Sequence, residues 1–222
     1  MSPEGLRLRP REHPLYSFGR LGAFLDGIYA IAATLLVVEL NVPEVAPGHL
    51  GEALSELGVE YLVYAVAFAQ IMGGWLVSRR IEKLLRGIDH YATVLFLFGN
   101  SAYALLPFTV HLISTSLHNS DDLRLAVQAS AGIALGSMLV FSFLVNYIER
   151  TGLIRDDIDV EVARLAIRVS KWIFLFPALA LIISFISSIA ALILLGIFAV
   201  LPLFPFELHV DQEGEPQRAA PE

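Results

Sequence analysis

Few residues in this chain could do covalent chemistry. There are no cysteines, which removes disulfides, thiolate nucleophiles and cysteine metal sites. The histidines, His13, His49, His90, His111, His118 and His209, form neither an HExxH pattern nor an i, i+4 pair, so no metal site is expected. Hydrolysis needs a nucleophile beside a base, and no Ser/His or paired-Asp constellation lies within the apolar segments. The expectation is a protein that is not an enzyme and carries no cofactor. The residues that do stand out lie between Arg20 and Leu40. Ile31, Leu35 and Val38 fall at i, i+4 and i+7, one stripe of a helix, and Thr34 sits beside them with a hydroxyl able to bond its own backbone or a neighbouring helix. Asp26 lies in the first turns of the same run. On spacing alone the stripe reads as ordinary packing and Asp26 as part of a structural polar network, although an acid inside an apolar helix is also a candidate functional group.

The elements that carry these residues follow from hydropathy. The 222 residues are 56% hydrophobic and 17% charged, with mean hydropathy +0.66; a soluble domain runs nearer about 45–50% and about 25%. Apolar residues fall in long blocks with charges between them, and a bilayer core of about 30 Å takes roughly 20 such residues in helix. The pattern predicts an all-α polytopic membrane protein with six transmembrane helices over residues 20–42, 58–78, 90–113, 122–148, 163–184 and 187–205. From Trp172 to Phe206 no charge occurs over 35 positions, too long for one crossing at about 1.5 Å per residue. The Ser184-Phe185-Ile186-Ser187-Ser188 cluster is the natural break. Residues 1–19 read as a basic N-terminal arm, 20–206 as the membrane domain and 207–222 as a polar tail. The first apolar stretch is too long for a signal-peptide core and carries Asp26 and Glu39, so a retained helix is expected.

Orientation follows from lysine and arginine in short loops. Arg7, Arg9, Arg11 and Arg20 precede the first helix; Arg79, Arg80, Lys83 and Arg86 follow the second; Arg150, Arg155, Arg164, Arg168 and Lys171 lie between the fourth and fifth. Both termini are therefore expected in the cytoplasm, in a cell-membrane protein. The opposite loops hold Arg124 and a set of acids, Glu44, Glu52, Glu56 and Glu60. With Glu39, Glu44 would make an acidic outer entrance that raises local cation concentration; a solvated face is the alternative. A net charge of −7 leaves no nucleic-acid footprint.

The run Arg20-x-x-x-Phe24-Leu25-Asp26 followed by Gly27-Ile28-Tyr29-Ala30-Ile31-Ala32-Ala33-Thr34-Leu35-Leu36-Val37-Val38-Glu39-Leu40 closely resembles the first-helix signature of the transmembrane protein 175 family, which are potassium-permeable channels. The resemblance continues through Trp75 near the end of the second helix and Leu105-Leu106-Pro107-Phe108 in the third. It implies a homotetramer in the bilayer, with potassium as the permeant ion and the first helix of each subunit lining a central pore. Ile31, Leu35 and Val38 would then be apolar rings that gate by dewetting. Thr34 would support selectivity, and Arg20, Phe24, Asp26 and Trp75 would be the structural motif. No Thr-Val-Gly-Tyr-Gly filter occurs, so selectivity should be modest.

Several positions depart from the family pattern. Leu25 replaces its serine, Ser78-Arg79 stand where it often has histidines, and Phe96 lies near the place of its third-helix asparagine. The polar network behind the first helix is therefore expected to be rebuilt, with Asp26 pairing to Arg79 or to Arg20 of a neighbouring element. Gly132 and Gly136 form a GxxxG spacing, expected to serve close packing within one subunit. Pro107 and Pro177 are expected to interrupt helices, and His111 and His118 lie on the outer side, where they could sense pH. The competing classes are a secondary, proton-coupled transporter and a non-conducting structural protein. The transporter is disfavoured because no charge sits at a helix centre.

Overall fold

The computed structural model describes residues 15–40, 45–155, 168 and 170–204. Within them the chain forms helices α1 (Gly19–Leu35), α2 (Leu50–Glu56), α3 (Gly58–Leu84), α4 (His90–Ala104), α5 (Leu106–Ser116), α6 (Ser120–Thr151), α7 (Leu175–Ser184) and α8 (Ser188–Val200). A 3-10 turn, Leu36–Glu39, extends α1, and another, Leu201–Leu203, extends α8.

Four stretches are long and apolar enough to cross a membrane: Gly19–Glu39, Gly58–Leu84, His90–Ser116 and Ser120–Thr151. They match the first four expected helices. The last two expected helices are described only in part, as the shorter apolar segments Leu175–Ser184 and Ser188–Leu203, so the described residues show an all-helical membrane protein with four spans of full length. The break between α7 and α8 is where the serine cluster put it. Ser187 leaves helical geometry, and its hydroxyl accepts from the Ala190 N–H at 3.3 Å, which starts a new helix.

Sequence explains the other ends. Asn119 caps α6 by accepting from the Asp121 and Asp122 amides at 2.9 and 3.2 Å, and Gly152, at φ 62°, ends it in the left-handed conformation that glycine adopts at least cost. Asp89 caps α4 through the Ala92 amide at 2.8 Å. The third span is interrupted at Leu105, because Pro107 has no N–H to give and its ring crowds the preceding turn. Pro177 sits in the first turn of α7, where a proline is tolerated.

At the end of the bundle that holds the N-terminus of α1, three loops are tied together by backbone bonds. Tyr16 pairs with Ile88, and Leu85 with Ile154; the Arg86 amide donates to Leu153 and the Arg155 amide to Leu84, both at 3.0 Å. Inside, α1 packs against α3 and α4, α6 against α4, α5 and α7, and α3 against α8. The core is built on one side of α1, from Leu21, Leu25, Tyr29, Ala32 and Leu36, together with Ile71, Ala92, Phe96 and Leu144. One expectation fails here. Gly132 and Gly136 are exposed, and a Cβ at either would meet nothing within 4 Å, so among the described residues this pair packs against no neighbouring helix.

Candidate functional site

The two sides of α1 are chemically distinct. Leu21, Leu25, Tyr29, Ala32 and Leu36 recur at helical spacing and are buried. Ile31, Leu35 and Val38 lie on the opposite side with 62%, 46% and 71% of their surface exposed. Phe24, one turn in from Arg20, is exposed on the same side. The stripe inferred from spacing is therefore continuous and uncovered by the described residues of the subunit. Val38 reaches it from the 3-10 turn rather than from α1 itself. Thr34 is exposed beside Ile31, and its hydroxyl donates to the Ile31 carbonyl at 2.9 Å. The hydroxyl proton is thus spent on the backbone, and the oxygen keeps lone pairs that could face a cation.

Behind the stripe lies a polar cluster that spacing did not reveal. The Tyr29 hydroxyl donates to Asn100 Oδ1, and the Ser78 hydroxyl lies 2.7 Å from the Tyr29 oxygen and 3.3 Å from Asn100 Oδ1. The Asn100 amide donates to the Phe96 carbonyl at 2.7 Å. All three side chains are buried, and among the described residues no buried side-chain N or O is left without a partner. A buried, fully satisfied network fixes helix positions because each unmet group would cost its desolvation. Here it joins α1, α3 and α4. Tyr103 covers it, its ring 5.0 Å from that of Tyr29. Gly74 makes this possible, since a Cβ there would stand 2.2 Å from the Tyr103 ring.

These contacts correct two expectations about the motif. Asp26 does not pair with Arg79: Trp75 Nε1 donates to Asp26 Oδ1 at 2.8 Å, and Arg79 pairs with Glu82 at 2.5 Å. The third span does hold a buried asparagine: Asn100 lies one turn beyond Phe96, while Phe96 itself is core and packs edge-on against Phe18 at 5.3 Å. Leu25 is likewise core, 2% exposed, so the departure from serine is a substitution into an apolar site. Arg20 has no salt bridge among the described residues. At the far end of the stripe, Glu39 lies 2.7 Å from His111 Nδ1, which ties the 3-10 turn to α5. Glu44 falls outside the described residues, as do His13, His209 and Arg164. Among the described residues no cluster of three or more His, Asp or Glu could hold a metal.

Comparison with known proteins gives a family match over the first half of the chain. The model "Endosomal/lysosomal potassium channel TMEM175" matches residues 20–107, the stretch that carries the stripe, Trp75, Ser78, Asn100 and Pro107. The fold is similar to the crystal structure of a lysosomal potassium-selective channel TMEM175 homolog from Chamaesiphon minutus, with TM-score 0.71 and 27% identity over 83% of this chain and 95% of that one. Over residues 20–107 the chain is similar to the transmembrane protein 175 family. A potassium channel of Chamaesiphon minutus is 35% identical over 133 residues, 57% of this chain and 63% of that protein. A potassium channel of Streptomyces collinus is 28% identical over 148 residues, 66% of this chain and 72% of the relative. The match thus spans a little under two thirds of the first relative and somewhat more of the second. The matching family and these relatives are named as ion channels, not as enzymes.

Proposed function

We propose that this chain forms a potassium-permeable cation channel: a homotetramer in which the first helix of each subunit lines a central pore, with both termini cytoplasmic. The observation that carries the reading is the exposed apolar stripe of Ile31, Leu35 and Val38 opposite a side of α1 locked into its own subunit. The names of the family and of its bacterial relatives support the choice of ion. In this reading the three residues form successive apolar rings. A hydrated ion loses water interactions on entering so narrow an apolar neck and gains no replacement ligand, so the neck resists conduction when dry. Thr34 lies between the Ile31 and Leu35 rings, where its oxygen would be the polar atom nearest the permeant ion. The Tyr29–Ser78–Asn100 cluster and the Trp75–Asp26 bond hold the opposite side, so the rings keep their register.

Currents from the purified chain in a lipid bilayer test the proposal. Ile31→Asn should raise the potassium leak about tenfold, the effect of lowering the barrier by about 1.4 kcal/mol, and should weaken the preference for potassium over sodium. Currents unchanged by this substitution would overturn the pore assignment, and saturable, gradient-coupled flux without discrete openings would mark a carrier instead.

A further inference from the structure

Arg20 begins the exposed stripe of α1, and Glu39, partly buried, stands beside the stripe's other end. Arg20, Phe24, Ile31, Leu35 and Val38 follow one another at i, i+4, i+11, i+15 and i+18, a single line along a helix. Arg20 is exposed and makes no salt bridge among the described residues. It borders an open groove of about 530 Å³ whose other polar lining is Tyr16, Ser17, His90 and Thr93, with no carboxylate. The nearest acid on its own helix, Asp26, points away from the stripe to Trp75. Arg79, paired with Glu82, and Arg80 and Lys83 lie in the last turns of α3, and Arg86 follows it, at the same end of the bundle. At the other end stands Glu39, about 28 Å away at helical rise, bonded to His111; Glu52 and Glu56 are exposed on α2.

Resting on the channel reading, we infer that Arg20 and Glu39 make the pore rectify, passing potassium more readily from the Glu39 end toward the Arg20 end than in reverse. A fixed charge at a narrow mouth multiplies or divides the local cation concentration, and entry rate follows that concentration. Under a voltage of one sign, ions enter past carboxylates that gather them; under the opposite sign, they enter past guanidinium groups that repel them. Four subunits would present four copies of each charge, so the asymmetry adds around the axis. The apolar rings between contribute none, because they carry no charge.

The test is the current–voltage relation of the full chain in excised patches, where the membrane fixes the sidedness, with equal KCl on both sides. At about 0.1 M salt, where charges act over about 10 Å, inward current should exceed outward by at least about twofold. Raising KCl to about 1 M shortens that range to about 3 Å and should bring the ratio close to one without altering the protein. Arg20→Gln should raise outward current, Arg20→Lys should keep the asymmetry, and Glu39→Gln should lower inward current. Should Arg20→Gln fail to assemble, the salt series and Glu39→Gln still decide. A linear relation at low salt in a conducting channel, or an asymmetry that salt does not remove, overturns this inference and leaves the channel reading standing. A complete lack of potassium current overturns both.

Discussion

Leu21, Leu25, Tyr29, Ala32 and Leu36 on one side of α1, and Phe24, Ile31, Leu35 and Val38 on the other, are both apolar stripes of helical period. The first is buried against α3 and α4; the second is open. In water the open side would be a liability, but in a bilayer hydrophobicity does not separate a packed face from a lipid-facing or pore-facing one, because lipid is as apolar as leucine. What separates the faces is polar satisfaction. The buried side contains a tyrosine hydroxyl that must find partners at membrane depth, and it finds Ser78 and Asn100. The open side contains one hydroxyl, Thr34, which satisfies itself on the Ile31 carbonyl and so needs nothing from a neighbour. One side is therefore tied to a unique place, and the other is left available to a pore.

This contrast can be broken from the buried side. The largest effect is expected for Leu25→Ser, which would restore the family's residue at a position that is 2% exposed. Removing a buried leucine side chain costs about 2–5 kcal/mol, and the new hydroxyl must find a partner, so melting of the detergent-solubilised protein should fall sharply. A neutral result would mean that the polar anchor readily accepts the serine and that the apolar repacking around residue 25 is shallow. Next is Gly74→Ala. Its Cβ would displace the Tyr103 ring that covers Tyr29, and overpacking of this kind costs about 1–3 kcal/mol; thermal stability with Tyr103→Ala as the second arm of a double-mutant cycle measures it. Smallest is Tyr29→Phe, which keeps the ring and removes one hydrogen bond, for a loss of about 1 kcal/mol. If Tyr29→Phe proved as damaging as Leu25→Ser, the hydroxyl rather than the apolar side chains would be what holds the helix.

The four full-length spans were legible in the sequence because charges are confined to the loops, and the breaks at Pro107 and at Ser187 were legible because each has a local cause. The stripe was legible as a period, while its exposure was not, since spacing is the same for packed and open faces. The buried cluster was missed for a plain reason. Tyr29, Ser78 and Asn100 lie on three helices, 22 to 71 residues apart in the chain, and each looks unremarkable in its own segment. Asn100 was the available signal, a side-chain amide inside an apolar span, where such a group demands partners. Attention to the family's motif positions turned the reading toward Phe96 and toward an Asp26–Arg79 pair, and local geometry replaced both.

The central claim is that α1 turns Ile31 and Leu35 to a water-filled axis and Ala32 and Leu36 to its own subunit. Because the natural chain has no cysteine, single cysteines at these four positions would be the only thiols in the protein. A charged thiol reagent applied during potassium current recording should block Ile31→Cys and Leu35→Cys and leave Ala32→Cys and Leu36→Cys conducting. Block at Ala32→Cys or Leu36→Cys, with Ile31→Cys and Leu35→Cys untouched, would place the wrong side of the helix on the pore.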